Sequence, residues 1–315
     1  MASGTADSQG AVTSNTISHY QNLTLAGAGI LFVEYTYVHR SGRSELNQLG
    51  LDSDSQVPAH QELASVIKIS GALAGIQLVH GGGKSLTDLT GGKLLGASPI
   101  VVPSKGNDLE KPIEMTAEEI QLYQGWYLNA AIRAAKAGYD IIELHSAHGY
   151  GLNQWLSPLT NQRADNYGGD LKNRSKMLLE IFHSIRKALP NKILGVRIPG
   201  EDHFDGGLTQ NEMSFVSQQL EGLGADFIDV SSGIGGWRRP VDRTGEGYLL
   251  PEATSIQRKI EIPVIGVGGI ESGIFIDDSV AQRKVAFTAV GRRILKSPMN
   301  FFSEVLSEKV GELHA

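Results

Sequence analysis

Two histidines and a tyrosine stand together where an apolar stretch of the sequence ends. His145 and His148 lie at the close of "YDIIELHSAH", and Tyr150 follows two residues later. Imidazole and phenol groups can donate hydrogen bonds to a substrate oxygen, and a phenol can also deliver a proton. The pattern therefore indicates a site that binds a carbonyl or similar oxygen, with Tyr150 nearby as a proton donor.

The histidine pair is also compatible with a metal site or a purely structural role. Residues three apart on a strand face opposite sides, so both rings can point inward only if the strand end bends. A zinc site would need a third ligand such as Glu143, and the sequence contains no H-E-x-x-H or Cys/His spacing. We therefore predict no metal site. In the structural role, both histidines would be satisfied by hydrogen bonds inside a loop network.

Composition narrows the class of protein. The 315 residues are 41% hydrophobic and 20% charged, and 28 Lys and Arg against 34 Asp and Glu give a formal charge of −6. No basic cluster points to a nucleic acid, and no apolar run or signal-like start points to a membrane or to export, so we predict a cytoplasmic protein. The absence of cysteine excludes disulfides and cysteine-bound metal clusters in this chain.

Short apolar segments alternate with helical patterns along the chain. We predict seven strands, at residues 30–38, 74–80, 139–147, 193–200, 226–232, 263–269 and 285–292. A helix is predicted from 116 to 137, where Thr116 can cap the first turn and Glu119 can complete a capping box. This alternation predicts an α/β fold, either a (β/α)8 barrel or a doubly wound sheet.

Two observations favour the barrel. No G-x-G-x-x-G motif follows the first strand, as a doubly wound dinucleotide-binding fold would require. The last two predicted strands end in "GVGG" and "VGR", where barrels form phosphate sites, although glycine turns alone would also account for these residues. A barrel needs eight strands, so residues 1–3 are interpreted as the stump of a truncated first strand. We predict one domain over residues 1–315, with active-site loops at 81–112 and 233–250.

Two further polar residues lie near predicted strand ends. Gln77 offers an amide donor and acceptor, and Arg197 offers a permanent cation with forked donors. Either could be structural, since a buried glutamine is often a satisfied core amide and Arg197 could pair with Glu143 or Asp229. Gln77 and Arg197 would both lie at one barrel mouth, beside a phosphate site. Together they predict a pocket for a planar, hydrogen-bonding, phosphorylated ligand.

The run "HSAHGYGLNQWLSPLTNQRADNYGGDLKNR" resembles the signature of the Old Yellow Enzyme family of flavin oxidoreductases. Further segments follow that family's order, namely "GIQLVHGGGK", "PIEMTAEEI", "LGVRI", "FIDVSSG", "PVIGVGGI" and "VGRRILKSP". The His-x-x-His pair is similar to the bacterial branch of the family. The resemblance implies an eight-stranded barrel that binds FMN noncovalently at its C-terminal mouth, uses NAD(P)H as reductant and possesses one pocket for both substrates.

The resemblance also implies roles for single residues. His145 and His148 would bind the carbonyl or nitro oxygen of an activated alkene, and Tyr150 would be its proton donor. The flavin-binding positions implied are Gln77 and Arg197 at the ring and Gly268, Gly269, Gly291 and Arg292 at the phosphate. Arg163, Asp165 and Tyr167 would hold the loop at 160–169 rather than contact the substrate.

Some positions depart from the family pattern. Relatives usually have arginine at Gly83, for which Lys84 is the candidate substitute, and Ser3 or Thr5 would stand where relatives have a residue that tunes the flavin potential. We expect an FMN-dependent ene-reductase with ping-pong kinetics, a small-molecule partner and a capacity to form homo-oligomers. The alternatives are a degenerate flavin-binding protein and, less favoured, a phosphate-binding barrel isomerase or aldolase.

Overall fold

The computed structural model describes residues 2–104, 109–237 and 239–313, with side chains described as far as Glu308. In chain order its strands are β1 Ile30–Tyr37, β2 Leu73–Val79, β3 Leu95–Gly96, β4 Ile113–Glu114, β5 Ile141–His145, β6 Ile193–Pro199, β7 Phe227–Ser231, β8 Val264–Gly266 and β9 Phe287–Thr288.

The helices of the same residues cover the outside of the strands. In chain order they are α1 Ser14–Leu23, α2 Val57–Ile69, α3 Thr87–Thr90, α4 Ala117–Lys136, α5 Gly151–Leu156, α6 Leu171–Ala188, α7 Gln210–Gly222, α8 Leu250–Gln257, α9 Gly273–Ala281, α10 Arg292–Lys296 and α11 Pro298–Leu313. Within the described ranges, none of them is both long and apolar enough to cross a membrane.

Seven parallel strands form one sheet in the order β1-β2-β5-β6-β7-β8-β9, and β3 pairs with β4 separately. The sheet curls into a half-barrel, so the predicted α/β barrel architecture is confirmed. Each of the seven predicted strands is present, although β8 and β9 are much shorter than predicted. Of the predicted strand stump, Met1 lies outside the described residues, and no strand is found between Ala2 and the start of β1 in the part of the chain that the structure describes.

Burial on both faces explains why these segments form strands. Every residue of β5 is buried, and so is β2 after its first residue. Parallel strands covered by helices consist of such continuous apolar runs, rich in Val, Ile and Leu. The capping box of α4 is also present, since the Thr116 side chain accepts from the Glu119 N–H and Glu119 Oε2 accepts from the Thr116 N–H.

Several short elements were not predicted from the sequence. Helix α5 begins directly after Tyr150, and its six residues are all buried. The segment expected to be irregular from 81 to 112 contains α3 and β3. These helices span fewer than two turns, and the strand spans a single side-chain period. Such short segments show no measurable periodicity in the sequence.

Candidate active site

Four adjacent strands bring the predicted ring-binding residues and their polar neighbours together. Gln77 on β2 is paired with Glu143 on β5, and its Nε2 donates to Glu143 Oε1 at 2.6 Å. His145 on β5 is paired with Arg197 on β6, which is paired in turn with Asp229 on β7. Because paired residues of a parallel sheet project to the same face, these five side chains line one continuous surface.

A buried pair of carboxyl groups underlies that surface. Glu143 and Asp229 are both buried, and Glu143 Oε2 and Asp229 Oδ1 have no hydrogen-bond partner among the described residues. Burial, with the charge of Asp229, raises the pKa of Glu143 to about 8, and burial also raises the pKa of Asp229. Arg197 opposes both shifts, and its Nε lies 3.3 Å from Asp229 Oδ2. The guanidinium therefore compensates negative charge on the carboxyl pair, and the pairing of Arg197 with a strand carboxylate, which the sequence left open as a structural alternative, is present.

The two histidines meet because the chain bends after β5. His148 has a φ of 60°, in the left-handed region, and its N–H donates to the carbonyl of Ser232 at 3.1 Å. The rings of His145 and His148 then lie 4.9 Å apart at 86°. His148 Nε2 is 2.7 Å from the hydroxyl of Ser231. The bend at the strand end, which is needed for both rings to face one site, is thus present.

Both imidazoles are held neutral. Burial is the main cause that lowers the pKa of His145 and of His148 well below the usual range, and the Arg197 cation lowers both further. A neutral imidazole has one N–H donor and one acceptor nitrogen. His145 Nδ1 is buried without a hydrogen-bond partner among the described residues. This nitrogen has hydrogen-bonding capacity that the protein itself does not use.

Tyr150 completes the predicted group. Its ring lies 5.2 Å from that of His145, and 5.4 Å from that of Tyr35, on which it is stacked. Lys84 Nζ lies 5.8 Å from the centre of the Tyr150 ring. Burial raises the pKa of Tyr150, so its hydroxyl keeps its proton at neutral pH. The structure therefore brings His145, His148 and a protonated Tyr150 into one cluster.

Lys84 holds the loop that carries the cluster. Its Nζ donates to the carbonyl of His148 at 2.6 Å and to that of Ile234 at 3.5 Å. A Cβ on Gly149 would lie 2.6 Å from Lys84 Nζ and 2.3 Å from the Ile234 oxygen, so only glycine fits between them. These contacts give Lys84 a positioning role in the loop. They do not test whether Lys84 substitutes for the arginine that relatives have at the position of Gly83, which stays a prediction.

The N-terminal segment contacts strand β1 at Glu34. The backbone N–H of Ser3 donates to the Glu34 carboxylate, and its hydroxyl donates to Glu34 Oε1 at 3.0 Å. The hydroxyls of Ser3 and Thr5 are 2.6 Å apart. Burial raises the pKa of Glu34. Ser3 therefore connects Thr5 to β1 at Glu34, the residue directly before Tyr35.

The predicted phosphate positions form a second group, at the ends of β8 and β9. Gly268 has a φ of 126° and Gly269 a φ of 65°, which disfavour side chains. A Cβ on Gly268 would lie 2.8 Å from the Leu249 nitrogen, and one on Gly269 would lie 3.0 Å from the Tyr248 ring and 3.2 Å from Arg239 Nη2. We call these two glycines the glycine cradle, since a side chain at either position would collide with Tyr248, Leu249 or Arg239.

Two guanidinium groups flank this cradle. Arg292 follows Gly291 at the start of α10, and its Nη2 donates to the Tyr248 hydroxyl at 3.3 Å. The Arg239 guanidinium lies over the Tyr248 ring, 4.7 Å from its centre. Arg239 was not predicted from the sequence, because nothing in its local sequence connects it with glycines some thirty positions later.

The loop from 160 to 169 is held by internal contacts. Arg163 donates to Asp165 Oδ2 from Nη2 at 2.6 Å, and from Nη1 to the carbonyls of Ala97 and Met115 at 3.0 and 2.9 Å. The Tyr167 N–H donates to Asp165 Oδ1 at 3.0 Å. Arg163, Asp165 and Tyr167 thus stabilise the loop, as expected from the sequence.

A separate cluster of possible metal ligands does not include the predicted histidines. Within the described ranges it consists of Glu201, His203 and Glu252. Arg243 Nη1 donates to Glu252 Oε2 at 2.6 Å, and His203 Nδ1 lies 2.7 Å from Glu201 Oε1. Since a guanidinium and an imidazole already compensate these carboxylates, the cluster forms an ion-pair network.

Comparison with known proteins agrees with this geometry. A family model described as "NADH:flavin oxidoreductase / NADH oxidase family" matches residues 1–308. The chain belongs to this family. It is the Old Yellow Enzyme family recognised in the sequence, so the protein is an NAD(P)H:flavin oxidoreductase with FMN as cofactor and NAD(P)H as reductant.

Individual relatives extend the comparison. An NADPH dehydrogenase of Listeria monocytogenes is 34% identical over 303 residues, which cover 96% of this chain and 86% of the relative. A 2-naphthoyl-CoA reductase structure has a TM-score of 0.86 at 24% identity over 99% of this chain, which spans about half (49%) of that longer chain. An Old Yellow Enzyme homologue from Zymomonas mobilis has a TM-score of 0.81 at 21% identity and covers 99% of this chain and 86% of its own. At these identities the two structures establish the fold.

The residues of this family member fit FMN. At Gly268 and Gly269 the backbone is closely approached by other protein atoms, and the cations of Arg239 and Arg292 lie nearby. Backbone glycines with nearby cations suit a phosphate. At the other end, the amide of Gln77 and the guanidinium of Arg197 offer donors of the kind that a flavin pyrimidine ring accepts.

Proposed function

We propose that this oxidoreductase reduces the activated C=C bonds of enones and nitroalkenes. The observation that carries the proposal is the convergence of two neutral histidines and a protonated tyrosine, His145, His148 and Tyr150, on one side of the Arg197 cation. Neutral donors bind a carbonyl or nitro oxygen, and a protonated phenol can complete the reduction by supplying a proton.

The cofactor would be held at both ends. Gln77 and Arg197 would bind the ring, while Gly268, Gly269, Gly291 and Arg292 would bind the phosphate, with Arg239 beside them. The chemistry that FMN supplies when bound is hydride transfer, from NAD(P)H and then to the β-carbon of the alkene. The Arg197 cation, next to the ring, would favour the reduced and negatively charged form.

The chain's own residues would then act on the substrate. His145 and His148 donate hydrogen bonds to its carbonyl or nitro oxygen, which draws electrons from the double bond and makes the β-carbon electrophilic. Tyr150 delivers its proton to the α-carbon. Because NAD(P)H and the alkene would occupy the same pocket in turn, we expect ping-pong kinetics.

An anaerobic visible spectrum tests the proposal. Purified protein with FMN is recorded alone, after NADPH, and then after cyclohexenone. Bleaching of the flavin band by NADPH, followed by its recovery with the enone, is the expected result. Bleaching without recovery would contradict the ene-reductase assignment, and failure of NADPH to bleach bound FMN would favour a degenerate flavin-binding protein.

Several expectations from the sequence remain proposals at this level. They are a single domain over residues 1–315, a small-molecule partner with no nucleic acid, a cytoplasmic location and a capacity to form homo-oligomers. The isomerase or aldolase alternative is not supported, since the chain belongs to a family of flavin oxidoreductases.

A further inference from the structure

Ser231 lies at the end of β7, on the surface that carries the ring-binding residues. It follows Asp229 by two positions, and side chains two apart on a strand project to the same face. Its partner across the sheet is Pro199, two residues after Arg197 on β6. Ser231 is 3% exposed, so its hydroxyl is shielded from water and finds its hydrogen-bond partners inside the protein.

Two contacts attach His148 to consecutive residues of β7. The backbone N–H of His148 donates to the carbonyl of Ser232 at 3.1 Å, and the ring Nε2 lies 2.7 Å from Ser231 Oγ. The first contact fixes the backbone at the bend, and the second fixes the ring. Among the described residues, no hydrogen bond engages the other ring nitrogen, Nδ1. Nδ1 is therefore the nitrogen of His148 whose hydrogen-bonding capacity the protein leaves unused.

Arg197 determines the direction of the hydrogen bond between Ser231 and His148. Its Nη2 donates to Ser231 Oγ at 3.3 Å, and a guanidinium can only donate. The hydroxyl proton of Ser231 therefore points away from Arg197. In the part of the chain that the structure describes, His148 Nε2 is the one acceptor within hydrogen-bond distance of Ser231 Oγ. The hydroxyl donates to this nitrogen, and a neutral imidazole that accepts at Nε2 has its proton on Nδ1.

We infer that Ser231 is a positioning residue that fixes the tautomer of His148, so that the Nδ1–H is the donor for the substrate oxygen. The inference rests on the proposed role of His148 in binding that oxygen. In the opposite tautomer Nδ1 would be an acceptor, and its lone pair would face the lone pairs of a carbonyl or nitro oxygen. Ser231 acts through the imidazole and does not touch the substrate.

Other groups near His148 do not select between its two nitrogens. The ring of His145 lies edge-on to that of His148, with centres 4.9 Å apart at 86°. Lys84 donates to the backbone carbonyl of His148 and not to its ring. Burial, with the charges of His145 and Arg197, lowers the pKa of His148, so at neutral pH only one of its nitrogens carries a proton.

Replacing Ser231 should change both the tautomer and the affinity for a ketone. Ser231→Ala removes the donor at Nε2, so the Nε2–H tautomer should become populated. Loss of one hydrogen bond should weaken cyclohexenone binding by roughly two- to tenfold. Ser231→Thr retains a hydroxyl and should keep the Nδ1–H and the wild-type affinity. In a His148→Ala background, Ser231→Ala should cause no further loss, because its effect passes through that ring.

The experiment uses two readouts on the FMN-loaded protein. Two-bond proton–nitrogen NMR on nitrogen-15-labelled histidines reports the tautomer without substrate or turnover, and His148→Ala identifies the His148 signals. Titration of the oxidised flavin band with cyclohexenone gives the dissociation constant. Oxidised flavin cannot reduce the enone, and a ketone oxygen only accepts hydrogen bonds. Ser217→Ala is the matched control, because Ser217 is a buried serine on α7 whose hydroxyl donates to the carbonyl of Met213.

The tautomer separates this inference from the proposed function. An Nδ1–H in the wild type, its loss in Ser231→Ala and a coupled loss of affinity support the inference. An Nε2–H in the wild type, or an unchanged tautomer in Ser231→Ala, would overturn it and leave ene-reduction to the flavin spectrum.

The affinities supply the remaining outcomes. A loss of affinity from Ser231→Ala that persists without His148 would show that Ser231 acts through Arg197, which also overturns the inference. Unchanged enone affinity in His148→Ala would refute the proposed role of His148 and the inference together. If Ser231→Ala does not fold, Ser231→Cys takes its place, since a thiol is a weak donor.

Discussion

His145 and Arg197 are paired directly across β5 and β6, so an imidazole and a guanidinium project side by side from the same face of the sheet. Burial and this cation together keep the pKa of His145 far below its usual range. The site therefore combines one fixed positive charge with a neutral donor. Such an arrangement stabilises negative charge that develops on a bound group.

The first prediction concerns the charge of Arg197. Arg197→Met should make the two-electron reduction potential of bound FMN more negative, because the cation beside the ring would be lost. A charge-assisted interaction of about 1.5–3 kcal/mol corresponds to roughly 30–60 mV for two electrons. Reductive titration against a reference dye measures the shift. Arg197→Lys keeps the charge and should shift the potential less. Equal potentials in the wild type and Arg197→Met would refute the assigned role.

The second prediction concerns the histidine pair. His145→Ala with His148→Ala should weaken binding of a phenol or enone by roughly 10- to 100-fold, as expected for two lost hydrogen bonds, while FMN stays bound. Titration of the flavin band with the phenol gives the dissociation constant. His183→Ala, an exposed histidine on α6, is the control. Unchanged phenol affinity in the double variant would mean that the histidines are structural.

The third prediction concerns pH and the buried carboxyl pair. The pKa of Glu143 in the folded protein is about 8, above its ordinary 4.5. Between these values the folded protein keeps a proton that the unfolded chain has released, so stability falls as pH rises. Glu143→Gln removes this dependence. The unfolding free energy of Glu143→Gln, measured relative to that of the wild type, should therefore increase from pH 5 to 8, by up to about 1.4 kcal/mol per pH unit.

Urea unfolding at pH 5, 6, 7 and 8 measures that difference. The exposed Glu62→Gln on α2 provides the baseline for loss of an ordinary carboxylate. The histidines contribute the opposite slope, since their lowered pKa values cost stability as pH falls through the ordinary histidine range. That contribution is common to the wild type and Glu143→Gln and cancels. A difference that is constant across pH would show that Glu143 is ionised in the folded protein.

The fourth prediction concerns the glycine cradle. Gly269→Ala places a Cβ at a φ of 65°, 3.2 Å from Arg239 Nη2 and 3.0 Å from the Tyr248 ring. It should weaken FMN binding more than riboflavin binding, because riboflavin lacks the phosphate. Arg239→Gln should act in the same direction without backbone strain. Fluorescence quenching measures both affinities, and equal losses for FMN and riboflavin would place the phosphate elsewhere.

Much of the fold followed from local patterns. Seven apolar runs became the seven parallel strands, because burial on both faces leaves a continuous apolar signature in each strand. The polar groups at strand ends were recognisable for the same reason, since Gln77, His145 and Arg197 interrupt or end those runs. Their convergence could be inferred because parallel strands end at one edge of the sheet.

The sequence by itself determined the order of strands and helices along the chain, the histidine and tyrosine motif, and the resemblance to flavin oxidoreductases. Only the tertiary structure decided which side chains meet across long separations. It brought Tyr35 to Tyr150 through a bulge in β1, Arg239 to the glycine cradle and Glu143 to Asp229. The physical reason is that periodicity and turn signals are local, whereas these contacts depend on strand register and loop paths that connect distant residues.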